Sequence, residues 1–370
     1  MKKRNLLVLG AALVLSIGGL VSCGNSSSTA TVALVTDVGN IDDHSFNQST
    51  WEGVKGFCSA KNISYNYYRP SEDSTEARET TMKQAINNGA KVVVLPGYLF
   101  ETAVYDLQAQ FPKVKFLLID GEPHTADYKT YKTEANTTNI LFKEEQPGYL
   151  AGYSAVMEGY TKLGFVGGMA VPAVIRYGYG YVQGINAAAK VKHAADATYK
   201  VNVNYWYSGT FAPSDTIQST ASSWYSSGTQ CVFSCGGSIY QSVLAGISST
   251  GTMIGVDTDQ YYDSDKIITS AMKELNNSVQ NALGKLLGTA TTFTDDSAWP
   301  TGLTGVTRTL GAADDMIGLA HGNSWRLKNY TDAQYKALYA DLKAGKITVD
   351  NSSDDKVKPT TESYVVVDYK

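Results

Sequence analysis

Cysteine is scarce in this sequence, and beyond the N-terminal Cys23 the count is odd: Cys58, Cys231 and Cys235. An odd set in a chain with an export signal argues against a disulfide framework. Cys231 and Cys235 lie on and just after a predicted strand, without partner ligands at zinc spacing, and read as small buried residues. The histidines, His44, His124, His193 and His321, are scattered and offer no metal pattern, so neither a metal nor a cofactor is expected. No basic stripe exists. The chain has 31 Lys and Arg against 35 Asp and Glu, a formal net charge of −4, which argues against nucleic-acid binding. Catalytic signatures are missing too: no G-x-S-x-G elbow, no P-loop, and no G-x-G-x-x-G after the first strand. Tyr177-Gly178-Tyr179-Gly180-Tyr181 is glycine-rich, but it falls in an amphipathic stretch and does not fit a phosphate cradle. Asp42-Asp43 flanks a helix start, where acids cap the helix and complement its dipole. With no nucleophile–base pair among neighbouring residues, the chain reads as a capture protein and not as an enzyme.

What is present begins with an export signal. Lys2, Lys3 and Arg4 form a basic head, and Leu6–Leu15 is an apolar run too short to remain as a membrane span. Leu20-Val21-Ser22-Cys23 follows, with small residues before a cleavage point and Cys directly after it. This pattern resembles a bacterial lipobox, which makes 1–22 the signal peptide and Cys23 the lipidated first residue of the mature chain. Residues 23–30 then form a polar, Ser-rich tether. A diacylated Cys supplies the two chains that stable anchoring needs, so the expected location is the extracytoplasmic face of the cell membrane.

The remaining length suffices for two domains. Val32–Val35 reads as a buried strand, Asp37–Ser45 as a polar loop, and Phe46–Phe57 as a helix with Asp43 or Ser45 available as its cap. Strand and helix patterns then alternate twice, through strands ending at Pro96, Asp120, Gly167, Tyr207, Ser234 and Asp257. Such alternation implies α/β architecture with parallel sheets and right-handed crossovers, in two doubly wound lobes. The strand-end loops of both series are rich in Asp, Gly, Asn, Ser and aromatics. Facing each other, they make a cleft between lobes. The expected boundaries are 31–145 for lobe 1, 146–265 for lobe 2, and 266–370 as a crossover that returns to complete lobe 1. Within this last part, Lys266–Thr269 reads as a strand followed by a helix that carries Lys273, and Ala333–Ala344 as a helix before the strand Tyr364–Val367.

Four segments in order, TDVGNIDDHSFNQSTWEG, FPKVKFLLIDG, LGFVGGM with the downstream YGYGYVQG, and IGVDTDQ followed by IITSAMK, resemble the basic membrane protein (Bmp) family of substrate-binding lipoproteins. Within it they look most like the purine nucleoside receptors of ABC importers. The resemblance runs from about Val32 to about Leu287. It implies a type I periplasmic-binding-protein fold with a nucleoside between two lobes. Phe46 would stack on the base from the first lobe. Asp37, Asn40 and Asp120 would offer polar contacts near the base, and Asp257 would bind ribose hydroxyls with Lys273 nearby. The second face of the base needs another aromatic, for which Phe211 and Tyr177 are the candidates. The implied partners are a purine nucleoside (guanosine, adenosine or inosine), an ABC permease and the anchoring lipid, with the protein itself a monomer. In two places the chain departs from the family pattern. His44 stands where Lys is frequent, and Cys235-Gly236-Gly237-Ser238 replaces an AGGTG-like loop. The alternatives are a sugar or other small polar ligand, and a receptor domain that reports its ligand to a membrane sensor.

Overall fold

A computed structural model describes residues 30–288 and 303–370. The expected signal peptide, Cys23 and the tether up to Ser28-Thr29 lie outside the described residues. The first series is β1 (Val32–Val35), α1 (Phe46–Lys61), β2 (Tyr65–Tyr68), α2 (Thr75–Asn87), β3 (Val92–Pro96), α3 (Glu101–Gln108), β4 (Lys115–Ile119) and β5 (Thr137–Phe142). The second is α4 (Glu145–Glu158), β6 (Lys162–Gly167), α5 (Pro172–Ala195), β7 (Val201–Tyr207), α6 (Asp215–Ser226), β8 (Cys231–Cys235), α7 (Ile239–Ala245), β9 (Thr252–Asp257) and β10 (Ile267–Lys273). The chain closes with α8 (Leu275–Leu287), β11 (Val306–Leu310), β12 (Ile317–Leu319), α9 (Asp332–Lys343) and β13 (Val365–Tyr369).

Two sheets result, ordered β11-β5-β4-β3-β1-β2 and β12-β10-β9-β8-β6-β7-β13. Every pairing is parallel except that of β10 with β12. Successive side chains of a strand point to opposite faces, and each face has its own helical layer. Val32, Leu34, Val92 and Val94 pack with Val54 and Phe57 of α1 and Val279 and Leu283 of α8. Ala33, Val35, Val93 and Leu95 pack with Met82 of α2 and Val104 and Leu107 of α3. In each sheet the direction of strand addition reverses, between β1 and β3 and between β6 and β8. That reversal is where doubly wound sheets open a crevice beyond their carboxyl ends.

The glycine-rich YGYGY segment is accounted for by helix packing. It lies in α5 against α4, and a Cβ at Gly180 would sit 1.9 Å from Glu145 O, one at Gly148 2.1 Å from Tyr177 O. Only glycine lets the two axes come this close.

The last part of the chain differs from expectation. Among the described residues of 266–370, only α8 and β11 join lobe 1; β10, β12 and β13 extend the second sheet. Over the described residues the chain therefore crosses between lobes three times, after β5, after β10 and after β11. These crossings lie side by side: Lys143 N donates to Leu310 O at 2.9 Å, and Glu274 N to Met316 O at 3.0 Å. Adjacent crossings of this kind are where a hinge between two lobes acts.

Candidate functional site

The cavity between the lobes is lined from lobe 1 by Asp37, Asp43, Phe46, Asn47, Gly97, Tyr98 and Asp120, and from lobe 2 by Val174, Tyr177, Phe211, Gly236, Ser238, Asp257 and Lys273. Together with the open solvent at its mouth, the space between these walls is about 740 Å³; a concave site at a domain interface is a usual place for a small ligand.

The β1–α1 loop is held by capping. Asp43 accepts from the backbone N–H groups of Ser45, Asn47 and Gln48 at 2.9, 3.0 and 3.0 Å. Of the two expected caps Asp43 is therefore the one used, and Ser45 makes no capping bond. Ser45 Oγ instead donates across the lobes to Asp257 Oδ2 at 2.8 Å. Asn47, on the first turn of α1, donates its amide to Asp37 Oδ1 at 2.9 Å and Asp43 Oδ2 at 3.2 Å. Two carboxylate partners fix which amide atom is nitrogen, and they leave Asn47 Oδ1 buried without a partner. Burial pushes the Asp37 carboxyl up to about 6, against the hydrogen bonds from Gly39 and Asn47 that lower it.

The floor is a charge cluster around Lys273. Its ammonium donates to Asp120 Oδ2, lies 3.3 Å from Glu144 Oε1 and 3.8 Å from Asp257 Oδ1, and sits 4.8 Å from the centre of the Phe46 ring. Burial alone would lower the ammonium, but the three carboxylates outweigh it and hold it above the ordinary lysine range. Burial drives Asp120 up to about 7, against the pull of Lys273. Asp120 and Asp257 both have left-handed backbones, φ 59° and 66°, unusual outside glycine. Each turns a carboxylate back over its strand end. Asp120 Oδ1 is buried without a partner. No group of three or more His, Cys, Asp or Glu among the described residues has the arrangement to hold a metal ion; the acids here are organised around an ammonium.

Seven of the eight residues expected at the site line this one cavity: Asp37, Phe46, Asp120, Tyr177, Phe211, Asp257 and Lys273. Asn40 does not. It is exposed and borders a separate surface depression with Trp51 and Arg69. Asn47 holds the inward position, because the first turn of α1 points into the cleft while the middle of the loop turns outward. Lys273 ends β10 and is not helical as expected; the helix begins after Glu274. β10 is buried along Ile267–Ala271, so it lacks the alternation that marks a half-exposed strand. The two aromatic candidates also separate. Tyr177 is 1 % exposed and donates its hydroxyl to Ala271 O at 3.3 Å, beneath the floor, whereas Phe211 is half-buried on the β7–α6 loop. Cys58, Cys231 and Cys235 are free and buried.

Residues 30–337 match the family described as ABC transporter substrate-binding protein PnrA-like (Bmp). The chain belongs to the Bmp family. Among its curated relatives, the ABC transporter nucleoside-binding protein BmpA of Lactococcus lactis subsp. cremoris is 28 % identical, covering 94 % of this chain and 99 % of that one. The CD4+ T-cell-stimulating antigen of Listeria innocua is 30 % identical, covering 75 % and 79 %. A solute-binding protein of an ABC transporter system from Aeropyrum pernix superimposes with a TM-score of 0.71 at 20 % identity, covering 88 % of this chain and 94 % of that one. The expected type I solute-binding fold is thus present. This Bmp protein is an ABC-transporter substrate-binding protein, and no helix among the described residues is long and apolar enough to cross a membrane.

Proposed function

We propose that this Bmp protein captures a purine nucleoside between its lobes and delivers it to an ABC permease, held at the extracytoplasmic face of the membrane by a lipid on Cys23. The supporting observation is the pairing of wall chemistries. A half-buried ring from each lobe, Phe46 and Phe211, borders a cavity whose lobe 1 wall is rich in hydrogen-bond acceptors. Asp37 holds a carboxylate there, and Asn47 Oδ1 and Asp120 Oδ1 are buried acceptors without partners. Buried polar atoms of this kind call for a partner, and a purine edge with N–H groups supplies one between two rings that cover its faces. Asp257 is placed for vicinal hydroxyls, since a carboxylate accepts from two at once and charged acceptors make the stronger bonds. The name of the Lactococcus relative points to the same ligand class.

Calorimetry on the soluble domain with guanosine, adenosine and inosine, beside their free bases and ribose, tests the ligand. Nucleosides should bind more tightly than either fragment. Ribose binding with no response to any nucleoside would replace the reading with a sugar receptor. For the anchor, Cys23→Ala should move the protein out of the membrane fraction; a variant still membrane-bound and lipid-labelled removes the lipobox assignment.

A further inference from the structure

Arg176 lies near the start of α5, one residue before Tyr177, and is not part of the cavity lining. Its Nε donates to Glu144 Oε2 at 2.5 Å. Glu144 is wholly buried and also stays off the cavity wall. Its other oxygen, Oε1, faces Lys273 Nζ at 3.3 Å. Lys273 is thus shared by three carboxylates, two of which, Asp120 and Asp257, line the cavity while the third, Glu144, does not. The group holds one more carboxylate than cations, even with Arg176 counted. Glu145, the next residue, is buried beside the same guanidinium.

An ammonium has three protons to give, so three buried carboxylates compete for it. How much Lys273 gives to the cavity depends on how far Glu144 is neutralised by something else, and the neighbour in contact is Arg176. The geometry fits that division for Asp120: Lys273 is in direct hydrogen-bond contact with it, stands farther from Glu144 at 3.3 Å, and farther still from Asp257 at 3.8 Å. Glu144 sits on the first lobe crossing and Lys273 ends the strand before the second, so the same contacts join the cavity to the hinge.

We infer that Arg176 is a positioning residue for ligand capture: by neutralising Glu144 from outside the cavity, it keeps Lys273 on Asp120, at the cavity wall. The binding arm of its test rests on the nucleoside reading; a ligand-free arm does not. In Arg176→Met, Glu144 is left as a buried uncompensated carboxylate and should draw Lys273 away. Guanosine affinity should fall by about tenfold or more. Arg176→Lys should recover most of it. Arg176→Met combined with Glu144→Gln, which removes both charges, should return affinity to within about threefold of wild type. A role in packing alone predicts no such rescue. Crystal structures of the ligand-free single and double variants give the second arm, with Lys273 Nζ on Glu144 in the first and on Asp120 in the second. An R176M protein that binds guanosine like wild type, or a double variant as weak as the single, overturns the inference. If wild type binds no purine nucleoside, the functional reading fails and the ligand-free structures decide: Lys273 still on Asp120 in R176M overturns the inference, and Lys273 transferred to Glu144 supports it. If R176M does not fold, the double variant and R176K carry both arms, and weak binding by both with Lys273 unmoved overturns it.

Discussion

The two walls of the cleft are built on different principles. Lobe 1 presents side chains with fixed directions, Asp37 and Asn47, set by the capping bonds at the start of α1. Opposite them, lobe 2 presents one ring seated on bare backbone. A Cβ at Gly168 would lie 2.4 Å from Phe211 Cδ1, and one at Gly236 2.9 Å from the same atom. Lobe 1 uses glycine under a polar group instead: a Cβ at Gly39 would lie 2.4 Å from Asn47 Nδ2, while one at Gly97 would come no closer than 3.3 Å to Asp37 Oδ2. Directional polar groups suit recognition of a particular edge, and a ring on a glycine seat suits a cover that any flat ligand satisfies. Lobe 1 is therefore expected to choose the ligand and the upper part of lobe 2 to close over it.

The floor breaks this division, because Asp257 belongs to lobe 2 and is directional. The largest effect is expected there. Asp257→Ala removes a charged acceptor for two hydroxyls and should weaken nucleosides by about a hundredfold or more, while the free base, lacking those hydroxyls, changes little. Calorimetry with nucleoside and base side by side separates this from a damaged fold, which would weaken both. Equal losses for nucleoside and base would remove Asp257 from the sugar site.

Next come the two rings. Each base–aromatic stack contributes roughly 1–3 kcal/mol, so Phe46→Ala and Phe211→Ala should each cost about one to two orders of magnitude in affinity. The glycine seat sharpens the contrast. Gly168→Ala displaces Phe211 and should cost about tenfold, yet add nothing to a Phe211→Ala background. Gly97→Ala, on lobe 1, strains a backbone at φ 113° beside Asp37 and should stay additive with Phe211→Ala. Additive behaviour of Gly168→Ala would mean that its backbone, and not the ring, is what the ligand feels.

The same contrast explains what was legible in the sequence. Strand ends follow from alternation, and the crevice rule marks them as the place for a ligand; that Asp37, Asp120 and Asp257 are the residues there is what the family resemblance implies. Side-chain direction within a loop does not follow from pattern, so the Asn40 that the resemblance implies misses Asn47, which lines the cavity; the signal for Asn47 is its place on the first helical turn, next to Phe46. Chain ends were harder. β12 has three residues and β11 reads VTRTL, half exposed at a sheet edge, too short or too polar for a strand signal. β13 pairs with β7, far away in sequence, and nothing local in 365–369 specifies which sheet it joins.

A smaller effect tests the directional wall through pH. Burial holds Asp37 near 6 instead of 3.8, so in the ligand-free protein the stability it contributes is complete below its ordinary value and lost as pH rises through about 6. A ligand N–H on its carboxylate reverses the sign: affinity should be full above about pH 6 and fall several-fold as pH drops through it. Asp120, pushed to about 7, adds a change of the same sign at higher pH. Asp37→Asn should flatten the lower part of the affinity profile and leave the upper part. An unaltered profile in that variant would detach Asp37 from the ligand.

The contacts that join the walls hold the smallest expected effect beside a larger one, and one loop offers a buried and an exposed example. Ser45 Oγ donates to Asp257 Oδ2 at 2.8 Å in the buried interior, and the neighbouring His44 Nδ1 meets Asp263 Oδ1 at 2.8 Å with nearly half of its side chain exposed. Equal distances do not mean equal contributions. The buried bond has a charged acceptor shielded from water and should contribute about 1.5–3 kcal/mol, whereas an exposed His–Asp contact contributes about 0–1 kcal/mol, and salt screens it where the imidazole is protonated. Ser45→Ala should therefore weaken nucleoside binding by about tenfold at any ionic strength. His44→Ala should change it by less than about fivefold at low salt, and by nothing measurable near 1 M salt. Solution scattering of the ligand-free proteins supplies an independent reading. If these contacts hold the lobes together, Ser45→Ala should increase the radius of gyration more than His44→Ala does. A larger opening from the His44 change would assign closure to the rim and not to the interior of the cleft.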